Sequence, residues 1–429
     1  MKRIHWLYLL CTLSTIHAAL HADPPVRDGD PDSMNRARIK PSMADIQPRG
    51  TQQFYLVKEA GRLAAAHVLP KVRWSVNGVP GGNRVVGTIT SDGLYQAPDT
   101  VPESPEIIVS GEVETAVNRL HWATVLLDGH RPEYRTVRSW TGMMDDPITV
   151  YYAPPSMTLE NDGSILIAHM SRIHRYADGI EPVSKTLTLT GDSIKGISEA
   201  RNIAVDASDR IFVSDSVTGP PRIKVFSKDG ACLFGFGMKG IGDGRVMETR
   251  GMAFDSKQNV YIGDIDSMRV SVFDSSGGFL CNLGEKGALP GKLNVPYGIA
   301  IDANDELFVT SYYGPCQKLT REGRFILDFA YPDPPDGPIL FTDTAIDRWG
   351  NIYLVVNGNG DPKGGYEPVL DTDGHRISVM KYNNQGDWVC NLRMSRADHQ
   401  PLRVVVDRND RVLVLYKEDG KVGMEFMVR

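Results

Sequence analysis

Ile203-Ala-Val-Asp-Ala-Ser-Asp-Arg-Ile-Phe-Val-Ser-Asp215 decides the fold, because it recurs. It returns as Met252-Ala-Phe-Asp-Ser-Lys-Gln-Asn-Val-Tyr-Ile-Gly-Asp264 and as Ile299-Ala-Ile-Asp-Ala-Asn-Asp-Glu-Leu-Phe-Val-Thr-Ser311. Looser copies start at Met157, Thr344 and Val404. Each is a short apolar strand, a polar turn opened by an acid, and a second apolar strand. A period of roughly 45 residues with no helical pattern between copies marks a propeller or solenoid.

Around the copies the pattern extends to four strands. A third strand follows, as in Arg222-Ile-Lys-Val-Phe226 and Arg269-Val-Ser-Val-Phe273, then a tight turn such as Lys228-Asp-Gly230, then a fourth strand such as Phe279-Leu-Cys-Asn-Leu283. Four strands per repeat make a propeller blade. These motifs resemble the NHL repeat, and six copies imply a six-bladed β-propeller over residues 133–429. The sixth copy ends after a third strand, Gly423 to Arg429. Thr136-Val-Arg-Ser-Trp140 is the upstream candidate for its fourth strand, which would leave the ring without open edges.

Ahead of the repeats the chain reads differently. Lys2 and Arg3, the apolar run Ile4 to Ile16 and the small residues up to Ala22 predict a signal peptide at 1–22. Residues 23–36 read as an extended leader. The expected location is secreted, periplasmic or cell-surface, and no later stretch is apolar and long enough to be a transmembrane helix. Residues 37–128 read as short strands between turn-rich segments, which predicts a β-sandwich. Trp74-Ser-Val-Asn-Gly78 and Gly87-Thr-Ile-Thr-Ser-Asp-Gly-Leu-Tyr-Gln-Ala-Pro98 resemble the bacterial Ig-like domains of exported surface proteins. The fold class is therefore all-β: an N-terminal Ig-like β-sandwich followed by the propeller.

Lys and Arg total 47 against 53 Asp and Glu, a net charge of -6, so no basic surplus argues for a nucleic-acid partner. Without Cys11 the chain carries Cys232, Cys281, Cys316 and Cys390. Cys281 and Cys390 occupy the same place in two different repeats and should lie far apart, so the cysteines read as buried small apolar residues rather than a disulfide framework.

The repeating acids, Asp206, Asp255, Asp302, Asp347 and Asp407 with Glu160, read as turn formers that bind their own backbone. Function belongs to the positions that do not repeat. In a propeller the first strand of each blade lines the channel, and its start lies on the same face as the end of the second strand. That places Arg201, Arg250, Tyr297, Asp343, Arg403, His169 and Tyr416 around one mouth, as the candidate site for a protein, carbohydrate or small-molecule ligand. An alternative for Arg201 and Arg250 is ion pairing with Asp215 and Asp264.

The competing expectation is a divalent-metal-dependent lactonase- or lyase-like enzyme in the channel. Gluconolactonase-like propellers hold a metal on Glu, Asn and Asp; Asn202 and Asp343 are the available members here, with no matching Glu. NHL-type amidating lyases hold zinc on several histidines, and only His169 stands at the mouth. A long insertion in the fifth repeat, Asn357 to His375, reads as a lid. Within it Asp371 and Asp373 faintly resemble a calcium loop without its closing acid, which makes calcium the cofactor candidate.

Overall fold

The computed structural model describes residues 37–58, 67–68, 71–113, 119–144, 154–177, 184–189, 197–215, 222–312, 315–329, 339–360, 366–370, 374–419 and 421–429. Among them every regular element is a β-strand. The segments expected to be a signal peptide and leader, Asp371, Asp373 and much of the insertion lie outside the described residues. The chain forms two compact units: one of Met1–Glu103 with Ile107–Gly129, the other of Ser104–Glu106 with His130–Arg429.

In the first unit three sheets surround a core containing Ile39, Phe54, Leu56, Trp74, Val76, Tyr95, Val109 and Val125. The Ser91-Asp-Gly-Leu-Tyr95 stretch is built into that core. Gly93 sits at φ +88°, where a Cβ would come within 2.3 Å of the Phe54 carbonyl and 3.1 Å of the Trp74 ring, so only glycine lets the turn approach. The Gly93 carbonyl accepts from Phe54 N at 2.8 Å, and the buried Tyr95 hydroxyl donates to the Val86 carbonyl at 2.7 Å.

The second unit follows the repeats. The first sheet is Ser156–Leu159, Ile165–His169, Arg172–Tyr176 and Ser184–Thr186; the second is Ala200–Val205, Ile211–Asp215, Ile223–Phe226 and Cys232–Phe236. Thr249–Phe254, Val260–Asp264, Arg269–Phe273 and Phe279–Leu283 make the third, and Pro296–Ile301, Leu307–Ser311, Cys316–Leu319 and Phe325–Phe329 the fourth. The fifth is Ile339–Ile346, Ile352–Gly360, Val379–Tyr382 and Trp388–Leu392, with Tyr366–Glu367 added to its second strand. The sixth is Gln400–Val406, Val412–Glu418 and Lys421–Val428, and its outer strand is Arg135–Met144 from upstream, paired antiparallel to Lys421–Val428. That pairing is close: a Cβ on Gly423 would meet the Tyr416 ring at 2.3 Å and the Trp140 carbonyl at 2.4 Å.

Each sheet is apolar on both faces, and each face packs on the next sheet. Phe212 and Phe236 of the second sheet meet Ile262 and Phe273 of the third; Leu413 and Phe426 of the sixth meet Met157 and Ile167 of the first. The first strands touch in cyclic order, the sixth returning to the first. Sheets that radiate from such a cycle form a β-propeller.

The repeating acids sit inside their turns. Asp206, Asp255, Asp302, Asp347 and Asp407 each accept the backbone N–H groups two and four residues on, at 2.8–2.9 Å. The residue three places on is left-handed in each of these turns, at φ 58–77° (Asp209, Gln258, Asp305, Gly350 and Asp410). All four cysteines of the second unit are free thiols. Cys316 and Cys390 are buried, Cys232 is half-buried and Cys281 is exposed. Cys390 packs within an apolar cluster that includes Tyr353, Leu392, Met394 and Val404, whereas Cys281 lies on the exposed part of its outer strand.

Candidate functional site

All six first strands line one cavity of about 240 Å³ at the centre of the ring. Its polar lining includes Ser156, Asn202, Asp343, Thr344 and Arg403; Met157, Ile203, Met252, Ile299 and Val404 supply apolar wall. These residues stand roughly one repeat apart and meet only because the ring closes.

Asn202 ties three successive strands together. Its amide nitrogen donates to the Arg250 carbonyl at 2.9 Å and to Ser156 Oγ at 3.3 Å, while its Oδ1 is buried without a hydrogen-bond partner. Asp343 and Arg403 come from neighbouring first strands. Asp343 Oδ2 accepts from Val404 N at 2.9 Å. Burial raises the Asp343 carboxyl to about 6, against the opposing pull of Arg403 and the Val404 and Thr344 amides.

Arg403 is 2% exposed. Its Nη1 donates to the Leu402 carbonyl at 3.0 Å, and its Nε and Nη2 have no hydrogen-bond partner. Burial and then the nearby Arg250 pull its pKa down, with Asp343 and Tyr297 acting the other way. Arg250 is half-used in the same manner: Nη2 meets Glu248 at 2.8 Å, while Nε and Nη1 are buried without partners. Its guanidinium lies over the Tyr297 ring at 5.6 Å, and that ring stacks on Tyr312.

Arg201 is differently placed. It pairs with Glu199 at 2.7 Å and reaches Glu248 at 4.0 Å, so it bridges the segments leading into the second and third sheets. Its pKa is lowered by burial and then by Arg250. The ion-pair partners of Arg201 and Arg250 are thus glutamates. Asp264 instead accepts from the Met247 and Glu248 amides, and Asp215 meets Lys224 at 2.9 Å.

His169 is buried at the end of its strand opposite Arg172 and does not line the cavity. Tyr416 is fully buried, stacks on His399 at 3.8 Å, and its hydroxyl donates to the Trp140 carbonyl at 3.2 Å beside Ser139 Oγ. Its strand runs on to Glu418, so Tyr416 lies within the strand rather than at its end. Ser156 and Thr344 are lining residues that residue type alone did not single out.

The cavity's donor set does not fit a divalent cation. Among the described lining residues Asp343 is the one carboxylate, Asn202 the one amide, and no imidazole or thiol is present. The one guanidinium in the described lining, that of Arg403, repels a cation and attracts an anion.

No protein-family description matches this sequence, and no curated protein does. Solved structures that resemble the chain include virginiamycin B lyase from Staphylococcus aureus, 11% identical, covering 69% of this chain and 100% of that one at a TM-score of 0.45. A gluconolactonase from Xanthomonas campestris is 13% identical over 64% of this chain and 86% of its own, at a TM-score of 0.43. A protein of unknown function from Bacteroides thetaiotaomicron is 10% identical over 94% of this chain and 100% of its own, at 0.46. At such identities and scores, activity has to be argued from this chain's own side chains.

Proposed function

We propose that this chain is an exported, six-bladed NHL-type propeller with an Ig-like spacer. In this reading the propeller binds a small carboxylate-bearing ligand at its central cavity, in the cell envelope or outside. The observation that carries the reading is Arg403, a buried guanidinium with two N–H groups facing no acceptor. Such a group costs several kcal/mol to bury unpaired. A planar carboxylate matches a guanidinium edge with two parallel hydrogen bonds. Asn202 Oδ1, also in the lining, is a buried acceptor for a ligand hydroxyl. The metal-dependent lactonase or lyase reading has no donor set in the cavity to support it. A metal-free enzymatic reading rests on Asp343 alone, whose carboxyl near 6 suits proton transfer at neutral pH.

The test is a thermal-shift series with acetate, succinate and glucuronate against acetamide and glucose. The carboxylates should raise the melting temperature of the wild type and leave Arg403→Met unmoved. Equal shifts from the neutral compounds would overturn the reading.

A further inference from the structure

A second cluster of chemically capable groups lies in the sixth sheet. Asp398 and His399 immediately precede its first strand, and Glu418 ends its second. Gln400 pairs with Lys417, so the hairpin register brings residues 399 and 418 side by side. One ligating atom from each of Asp398, His399 and Glu418 lies within 4.8 Å of the others, and this is the one such group among the described residues.

The histidine is the informative member. It is 2% exposed, and its ring is fixed by stacking on Tyr416 at an interplanar angle of 15°. Its Nδ1 lies 2.6 Å from Glu425 Oε1. Glu425 is fully buried and also accepts from Ser395 N, Ser395 Oγ and Thr136 Oγ1, so Nδ1 faces a hydrogen-bonded acceptor and is the nitrogen held by the fold. The other ring nitrogen, Nε2, is the one left to ligate. That atom is buried, has no hydrogen-bond partner, and stands 3.5 Å from Glu418 Oε2. Two donors each bound to one tetrahedral ion at ~2.0–2.2 Å are about 3.4 Å apart. A carboxylate holding the far nitrogen of a histidine is also how metal-ligating imidazoles are oriented.

We propose that His399 Nε2, Glu418 Oε2 and the Asp398 carboxylate bind a divalent transition-metal cation of the zinc class, with water completing the shell. A ring-nitrogen ligand favours zinc over calcium, which takes oxygen donors. Arg396 stands in the cation's place: it bonds both Asp398 oxygens at 2.7 and 3.0 Å and Glu418 Oε1 at 2.9 Å, leaving Oε2 to face the histidine. Its side chain is 59% exposed and can swing into solvent when the ion enters.

The experiment is a calorimetric titration of the full chain, without a histidine tag, with zinc chloride and separately with calcium chloride. The expected result is one zinc per chain and no calcium binding here. His399→Gln and Glu418→Gln should each weaken zinc by more than about tenfold, and Arg396→Ala should tighten it by removing the competing guanidinium. Circular dichroism checks the folding of each variant; Glu418→Gln and Arg396→Ala, at the rim, carry the test where His399→Gln fails to fold. No saturable zinc binding, or binding unchanged in Glu418→Gln and Arg396→Ala, would overturn the proposal.

Discussion

Asp343 and Arg403 project from neighbouring first strands into one cavity and form no ion pair. Asp343 takes the Val404 amide and Arg403 the Leu402 carbonyl, so each is anchored by backbone, and the two charges attract each other without a direct hydrogen bond. A cavity built for stability alone would have paired them or replaced both with apolar side chains.

The Asp343 carboxyl, raised to about 6, makes both stability and binding pH-dependent. A raised acid binds its proton more tightly when folded. Stability from this group is therefore full below the unfolded value near ~3.9 and falls as pH rises towards 6, by at most about 3 kcal/mol. Above 6 the ionised carboxylate repels an anionic ligand. Affinity for succinate should rise as pH falls from 7.5 to 5.5, and Asp343→Asn should flatten that profile in calorimetric titrations.

Asp255 anchors a turn and should behave as scaffold. Asp255→Ala leaves the Lys257 and Asn259 amides without their acceptor, at about 1–3 kcal/mol for each donor left buried. Urea unfolding should show the loss, with carboxylate binding by the folded fraction unchanged.

A buried charge cluster in the second unit should be the most costly to break. Lys381 Nζ lies 2.6 Å from both Glu106 oxygens, and Arg429 reaches Glu106 at 3.1 Å. Burial opposes the Lys381 charge, but Glu106 outweighs it and holds the ammonium up to about 12. The pair's contribution is present below the unfolded lysine value near ~10.4 and is lost as pH rises through 12. Lys381→Met should destabilise by about 3–5 kcal/mol at pH 7, read from the urea midpoint.

The scaffold was legible in the sequence because its determinants are local. A turn acid and the two amides it binds lie within five residues, and strand alternation needs no distant information. Of the predicted mouth residues Arg201, Arg250, Tyr297, Asp343 and Arg403, which stand at equivalent places in their repeats, Asp343 and Arg403 line the cavity and the other three do not. Which of them are neutralised was not legible. That depends on Glu199 and Glu248, which sit in the segments before the strands. The cavity itself exists only through ring closure, across separations that no local pattern encodes.

The most direct test of the central claim is the thermal unfolding of Arg403→Met without ligand. If Arg403 is an uncompensated cation held for a ligand, its removal should stabilise the empty protein, on the order of 1–4 kcal/mol, and raise the melting temperature by several degrees. A fall of similar size would show that Arg403 is satisfied within the fold, and would contradict the account.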